Sequence, residues 1–444
     1  MSAPFDTPLT ETVRRDDGAA PSAAPAAPAP PGGRATPGLT RLTARLGLLL
    51  IAAGETVART HAALSRIAGA YGVTDCSFYT LPTGAIAVLR DRGELHVEMA
   101  AEGARSLRLD QVQAVFDLVD AAEGGAIDPD EGLARLDAIM AAKPRYHPLV
   151  LIAGHGIATL GFALILQLAW PVTAVAVGLG LLAGALRILG ARVHRLEMLR
   201  PVITSFVCGC VVFLMARQGF VDAPYHALVP PLLLSLPFVS LTLATLELAD
   251  RQIVSGAGRL AFALVQVALL VFGLLAAEQV VHLPPADAVT SAAAYLGWWA
   301  PWVGTLLFAV GVALHFAAPL RVLPWLFAVC LAARVGLELG DAAGSPYLAA
   351  VFGAVLMALV AEWAAAHASG PPRLVTFSPT FILLIPGALA LTGFTQIFGP
   401  EYAIGLAALT TALFIIVAIA VGLMIGLGLY EAGARVLGRS APEM

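Results

Sequence analysis

After Pro148 the chain becomes a succession of apolar runs, each close to the ~20 residues that cross ~30 Å of hydrocarbon. This pattern restricts the fold more than any other feature of the sequence. Ten spans are expected, at 149–168, 171–190, 201–217, 227–246, 257–280, 298–317, 321–339, 346–366, 376–395 and 403–430. Composition agrees, since 59 % of the 444 residues are hydrophobic and 13 % are charged, with a mean hydropathy of +0.83. A soluble globular surface of that make-up would be too apolar, so the lipid bilayer is the solvent for most of this chain. The expected fold class is mainly α: a polytopic membrane protein with about ten transmembrane helices, plus a small N-terminal cytosolic α/β domain.

The segment before the spans reads differently. Residues 1–38 form a Pro/Ala-rich tail with too little apolar surface to offset the entropy of ordering. Residues 39–148 have the charge distribution and broken apolar periodicity of a compact domain. At ~100° per residue Leu46, Leu50, Ala53, Val57, Leu64 and Ala68 share one helical face, with Glu55, Arg59 and Arg66 opposite. Ser77 to Leu89, broken at Pro82-Thr83-Gly84, and Glu94 to Met99 read as short strands. Helix returns over Leu107 to Ala122 and Asp128 to Ala141, the latter opened by Asp-Pro as N-cap and first helical residue.

With the N-terminus inside, Lys143, Arg145, Arg187, Arg192, Arg195, Arg200, Arg251, Arg259, Arg321, Arg373, Arg435 and Arg439 fall at cytoplasmic ends, and only Arg217 and Arg334 fall outside. Both termini are therefore expected in the cytoplasm, the C-terminal one as a short tail at 433–444. Trp298, Trp299 and Trp302 then lie at the outer interface, where an indole is half wet and half apolar. The net charge of −4, carried by scattered single arginines, offers no stripe that tracks a phosphate backbone, so nucleic acid is excluded as a partner. The four cysteines match no metal or haem spacing and read as packing residues, and no metal or cofactor is expected. The many Ala and Gly residues suit close helix interfaces, a basis for a homodimer.

The fourth and ninth runs resemble each other. Leu-Leu-Ser-Leu-Pro237-Phe-Val-Ser-Leu-Thr242 corresponds to Ile-Leu-Leu-Ile-Pro386-Gly-Ala-Leu-Ala-Leu-Thr392, and each leads through a short polar link into a long final run. Five helices duplicated, at 149–282 and 283–432, make an inverted repeat because five is odd, the plan of many alternating-access carriers. Each proline lacks an N–H and is expected to free a carbonyl, that of Leu233 in one copy and of Ile382 in the other. Orphan groups of this kind are tolerated in lipid only beside other helices or a wet cavity. The expected substrate site therefore combines Leu233, Ser235, Pro237, Ser240 and Thr242 with Thr380, Ile382, Pro386, Gly387, Thr392 and Gln396. The competing reading is a pair of packing kinks whose Ser and Thr bond back to their own helices.

Ionisable residues near the spans are few. Glu247, Asp250, Arg251, Ser255, Gly256 and Arg259 form the densest polar cluster, an inner gate or a loop that obeys the charge rule. Arg334 and Glu338, four apart on one helix near the outer face, read as a local ion pair or an outer gate. Arg187, Glu247 and Glu362 lie about a turn from cytoplasmic ends and can snorkel. His155 and His315 titrate near neutrality and are candidate proton relays, or histidines that simply hydrogen-bond.

These residues carry a resemblance over most of the chain. Gly54-Glu55-Thr56-Val57, Tyr71-Gly72-Val73 and Pro82-Thr83-Gly84 resemble the soluble domain of the threonine/serine exporter family. The run Pro237, Leu241-Thr242, Glu247-Leu248-Ala249, Ile253-Val254-Ser255-Gly256 and Arg259-Leu260 is similar to that family's first membrane half, and Ile385-Pro386-Gly387 to its second. Phe238 stands where the family pattern has glycine. The resemblance implies secondary, proton-driven efflux of threonine and serine across a bacterial inner membrane, with protons as coupling ion. Two other classes compete: a hydrolase using Glu55, His61, Asp75, Thr80 and Thr83, which have no diagnostic spacing, and a sensor that binds without transporting.

Overall fold

The computed structural model describes residues 35–101, 107–190, 199–282, 295–367, 369–384 and 402–436, together with 386, 387, 389, 393 and 396. The 1–34 part of the expected tail, and the chain from 437 onward, lie outside the described residues. Helix α1 (Pro37–Ala53) starts at Thr36, whose hydroxyl accepts from the Leu39 amide, and ends at Gly54, in the left-handed region at φ 103°. Helix α2 (Val57–Ala70) is capped by Thr56. The single apolar face expected from Leu46 to Ala68 is therefore divided between two helices. Glycine at Gly54 supplies the positive φ that periodicity could not reveal.

Strands β1 (Asp75–Leu81), β2 (Gly84–Asp91) and β3 (Glu94–Ala100) form an antiparallel meander in the order β1-β2-β3. The β2–β3 turn is two residues, Arg92 and Gly93, both at positive φ, which matches the right-handed twist of the strands. Ala85 and Ala87 face α1 and let Ala44 and Leu48 approach closely. The other face leaves Tyr79, Val97 and Met99 exposed. Helices α3 (Leu109–Glu123) and α4 (Pro129–Ala141) complete this part, with Asp128 capping α4 through the Asp130 and Glu131 amides. Leu42, Leu46, Leu64, Ile67, Leu89, Val115 and Leu136 meet in one apolar core.

The remaining described elements are helical: α5 (Pro148–Ile165), α6 (Trp170–Gly190), α7 (Arg200–Arg217), α8 (Pro224–Leu233), α9 (Phe238–Ala249), α10 (Ile253–Val281), α11 (Ala300–His315), α12 (Leu323–Ala342), α13 (Pro346–Ala365), α14 (Arg373–Leu384) and α15 (Tyr402–Val436). Among the described residues seven helical segments are long and apolar enough to cross a membrane. The three other expected positions carry shorter apolar helices. The fourth run is split into α8 and α9, α11 has 16 residues, and α14 has 12 with Pro379 inside it.

Small residues set the helix packing. Helices α5 and α11 run antiparallel with Gly154 against Gly311 and Gly161 against Gly304, so close that a Cβ on Gly311 would lie 2.1 Å from the Ala158 nitrogen. Helices α7 and α10 pack in parallel, with Gly209 on Ala277 and Gly273 on Val202 and Ser205. Helices α13 and α15 do likewise, with Gly422 on Ala354 and Gly426 on Ala358. Such approaches are the membrane substitute for a hydrophobic driving force, which lipid does not supply. The two parts of the molecule also join through hydrogen bonds. The Leu109 amide donates to the Phe316 carbonyl at 3.0 Å and the Tyr146 hydroxyl to the Ala318 carbonyl at 2.9 Å.

Gly311→Val is expected to lower the thermal midpoint of detergent-solubilised protein, by an overpacking cost of about 1–3 kcal/mol. Gly178→Ala, where nothing lies within 4 Å of the added methyl, should leave the midpoint equal or higher. Equal midpoints for both variants would show that α5 and α11 do not touch as described.

Candidate functional site

The interruption in the fourth run comes earlier than Pro237. Pro230 and Pro231 sit inside α8, and after it the Ser235 amide bonds the Leu232 carbonyl at 2.8 Å and the Leu236 amide bonds the Leu233 carbonyl at 3.2 Å. Leu233 is thus not left with a free carbonyl, contrary to expectation, because the chain tightens into shorter-range bonds past the helix end. The Pro231 carbonyl is instead met by Nε2 of His155 at 2.9 Å. A carbonyl only accepts, so that nitrogen carries the hydrogen, and the buried Nδ1 of His155 has no partner among the described residues. Pro237 then caps α9, whose Thr242 is fully buried while Ser235 and Ser240 are half-buried.

In the ninth run Thr380 is fully buried, and its hydroxyl bonds back to the Thr376 carbonyl at 2.8 Å with the Cys330 sulfur 3.3 Å away. Ile382 is buried, Pro386 and Gln396 are half-buried, and Thr392 lies outside the described residues. Gly387 is buried against α8, where a Cβ would come within 2.4 Å of the Leu233 Cδ1. The two interruptions therefore touch, Leu233 of one against Gly387 of the other.

Histidines 155 and 315 meet edge to face with ring centroids 4.6 Å apart. His315 donates from Nδ1 to the Leu151 carbonyl at 3.3 Å, and its Nε2 accepts from the Arg187 guanidinium. Arg187 also bonds the His315 carbonyl at 3.3 Å and lies over the Phe316 ring. It is turned inward, rather than snorkelling, because this helix end supplies an acceptor. With one nitrogen donating and the other facing a guanidinium, His315 is neutral here.

A larger polar cluster lies where α1 and α2 meet the helix bundle. Glu247, 1 % exposed, accepts from the Ser255 hydroxyl at 2.8 Å and from Nε of Arg259 at 3.1 and 3.2 Å. Nη2 of Arg259 continues to the carbonyls of Ile51 and Glu55, at 3.2 and 3.3 Å. Arg373 of α14 donates to the Glu55 carboxylate and, at 3.2 Å, to Glu362 of α13. Arg59 of α2 reaches the same Glu362 oxygen at 3.1 Å. Burial, with Arg373 alongside, pulls the Arg59 guanidinium below its usual range, while Glu362, Glu55 and Glu431 hold it up.

The structure thus brings Glu247, Ser255 and Arg259 together. Gly256 lies at their side, where a Cβ would press on the Ala244 carbonyl at 3.0 Å. Asp250 and Arg251 remain exposed in the α9–α10 turn. Arg334 and Glu338 pair with each other along α12. Glu362 does not snorkel but is buried between two arginines. Of the residues considered for hydrolysis, His61 and Thr80 lie 3.3 Å apart, Glu55 is taken by Arg373, Asp75 pairs with Arg90 on the surface, and Thr83 is an exposed turn residue. Sequence reasoning missed Arg59, Arg373 and Glu431 in this cluster. Their one signal was a charge within a turn or two of an apolar run.

Apolar helices of crossing length, closed by glycine contacts and with deep charges paired inward, define a polytopic integral membrane protein. A family profile described as "Putative threonine/serine exporter" matches residues 41–281, and a second, described as "Threonine/Serine exporter, ThrE", matches residues 302–427. The chain belongs to the threonine/serine exporter family. No curated protein and no solved structure matches it.

Removing one partner of a buried pair is costly because the other charge stays behind. Arg259→Met is expected to destabilise the purified protein by about 3–5 kcal/mol. Glu247→Gln with Arg259→Met should recover at least half of that loss in chemical denaturation. A double variant as unstable as the single one would show that the two side chains do not pair.

Proposed function

We propose that this protein is a secondary active exporter of threonine and serine in the inner membrane of a bacterium, with both termini cytoplasmic, driven by the proton motive force. The observation that carries the reading is the contact between the two interrupted segments, Leu233 against Gly387. Paired breaks in corresponding spans, facing one another inside a bundle, are how carriers place a polar substrate site in apolar surroundings. Half-helix N-termini suit the carboxylate of an amino acid, and the hydroxyls of Ser235 and Ser240 its side chain.

The inverted repeat of two five-helix halves is supported by the packing. Helices α5 and α11, the first of each half, lie antiparallel with glycines at mirrored spacing, as an axis in the membrane plane requires. In each half the third helix packs in parallel on the fifth, α7 on α10 and α13 on α15. Each half also closes its own ion pair on the cytoplasmic side, Glu247 with Arg259 and Glu362 with Arg373. Alternating access then amounts to rocking of one half on the other about the Leu233–Gly387 contact, with the ion pairs as inner gate.

Cells lacking their own exporters and loaded with a threonine-containing dipeptide provide the test. Expression of this chain should raise threonine efflux severalfold, an uncoupler should abolish the increase, and Pro386→Ala or Gly387→Leu should remove most of it. Absence of efflux from correctly inserted wild-type protein would overturn the assignment.

A further inference from the structure

Among the described residues the hydrogen bonds that link the two inner ion pairs do not run directly between membrane helices. The link is made by Glu55, on the turn between α1 and α2. Its carboxylate sits on Arg373, and its carbonyl, with that of Ile51, takes Nη2 of Arg259. A carboxylate held by a buried guanidinium is the arrangement that recognises the α-carboxylate of an amino acid. On the far side stands an anion that forms no ion pair among the described residues. The parallel register of α13 and α15, with Gly422 on Ala354 and Gly426 on Ala358, carries Glu431 to the level of Glu362. Glu431 is 6 % exposed, its Oε1 is buried without a hydrogen-bond partner among the described residues, and it lies close enough to Arg59 to act on it electrostatically. Among the described residues the cluster thus gathers the carboxylates of Glu55, Glu247, Glu362 and Glu431 around the guanidiniums of Arg59, Arg259 and Arg373, one cation short of balance. A buried carboxylate oxygen that nothing satisfies costs free energy that a cationic ligand would return.

We propose that this cluster is a cytoplasmic entrance site for the zwitterionic backbone of a free α-amino acid, with Glu55 occupying the carboxylate position as a built-in competitor. In the loaded state the ligand's carboxylate replaces Glu55 on Arg373, and its ammonium lies between Glu362 and Glu431. The Gly54-Glu55-Thr56 turn withdraws, which also releases Arg259 from the Ile51 and Glu55 carbonyls. Gly54, at φ 103°, is where the chain turns between α1 and α2. The soluble part is thus a latch that free substrate opens from the cytosol. The choice of an amino acid rests on the exporter reading, and the site is separate from the interruption at Leu233 and Gly387.

The test uses full-length protein in lipid nanodiscs, with threonine, threonine amide and N-acetylthreonine as probes. Glu55→Gln should bind threonine about tenfold more tightly than wild type, a factor worth about 1.4 kcal/mol. The amide, which has no carboxylate, should gain nothing, and Glu431→Gln should weaken threonine about fivefold or more. N-acetylthreonine, lacking the ammonium, should show no loss between wild type and Glu431→Gln. Unchanged threonine affinity in Glu55→Gln, or an equal gain for the amide, would overturn the proposal. Should Glu55→Gln fail to fold, Ala58→Cys in an otherwise wild-type chain supplies a second measurement, its alkylation followed by peptide mass spectrometry. Threonine should accelerate labelling and the amide should not, whereas equal rates would overturn the latch. Threonine flux through wild-type protein is recorded alongside in sealed proteoliposomes: flux without these responses sinks the entrance site alone, and no flux sinks the exporter reading itself.

Discussion

The pairing of Arg259 and Arg373 with buried acceptors is the interaction on which the arrangement of the two parts depends. A guanidinium cannot lose its charge to avoid burial, so it must find oxygen. Arg259 finds the Glu247 carboxylate and two main-chain carbonyls at the end of α1, and Arg373 finds Glu362 and Glu55. Each arginine therefore needs both a neighbouring helix of the bundle and the α1–α2 turn. Buried ion pairs are poor sources of stability, because desolvation offsets their attraction, but they are strict about geometry. Here that strictness fixes where the N-terminal helices and sheet sit on the bundle, a placement that the Leu109–Phe316 and Tyr146–Ala318 hydrogen bonds reinforce.

Within the bundle, specificity has another origin. Lipid is as apolar as leucine, so helices gain by fitting closely rather than by leaving water. Gly154, Gly161, Gly304 and Gly311 let α5 and α11 approach until backbone touches backbone. The same device joins α12 to α13, where Gly336 and Gly340 meet Gly353 and Ala349. Interruptions in the helices are accommodated differently. At the end of α8 the Ser235 and Leu236 amides turn back to Leu232 and Leu233, and His155 reaches the carbonyl of Pro231 from α5. The break is thus satisfied from a neighbouring helix, which ties the position of α8 to that of α5.

Much of this was legible in the sequence. The apolar runs gave the helices because burial in lipid demands intrasegment hydrogen bonds over a fixed length. The alternation after Ser77 gave the strands, and Asp128-Pro129 gave the start of α4. Failures have local causes. The face running from Leu46 to Ala68 concealed a helix end at Gly54, because periodicity can continue across a turn that keeps phase. Pro237 looked like the break, but Pro230 and Pro231 act first, and their effect is read only once the hydrogen bonds past Leu233 are known. Glu362 and Arg187 looked free to snorkel. Their partners, Arg373 and His315, are brought near by helix packing that one-dimensional spacing does not contain. Glu55 was the least legible: as a polar residue opposite an apolar helical face it reads as solvent-exposed, yet it is 6 % exposed and faces a guanidinium across a sequence distance of 318 residues.

Any motion that parts these elements meets one further requirement. Opening this face cannot simply pull Arg259 and Arg373 away from their acceptors, since an uncompensated buried charge costs several kcal/mol, too much for thermal motion to supply often. Opening must exchange partners instead, substituting water or a ligand for the acceptors that leave. The acceptors most easily exchanged are those contributed by a short turn rather than by a packed helix. Glu55 belongs to such a turn, and Ile51 to the last turn of α1 that leads into it, whereas Glu247 and Glu362 are held on α9 and α13. Motion at this face is therefore cheapest where the N-terminal part touches the bundle, the place to which the proposed gating is assigned.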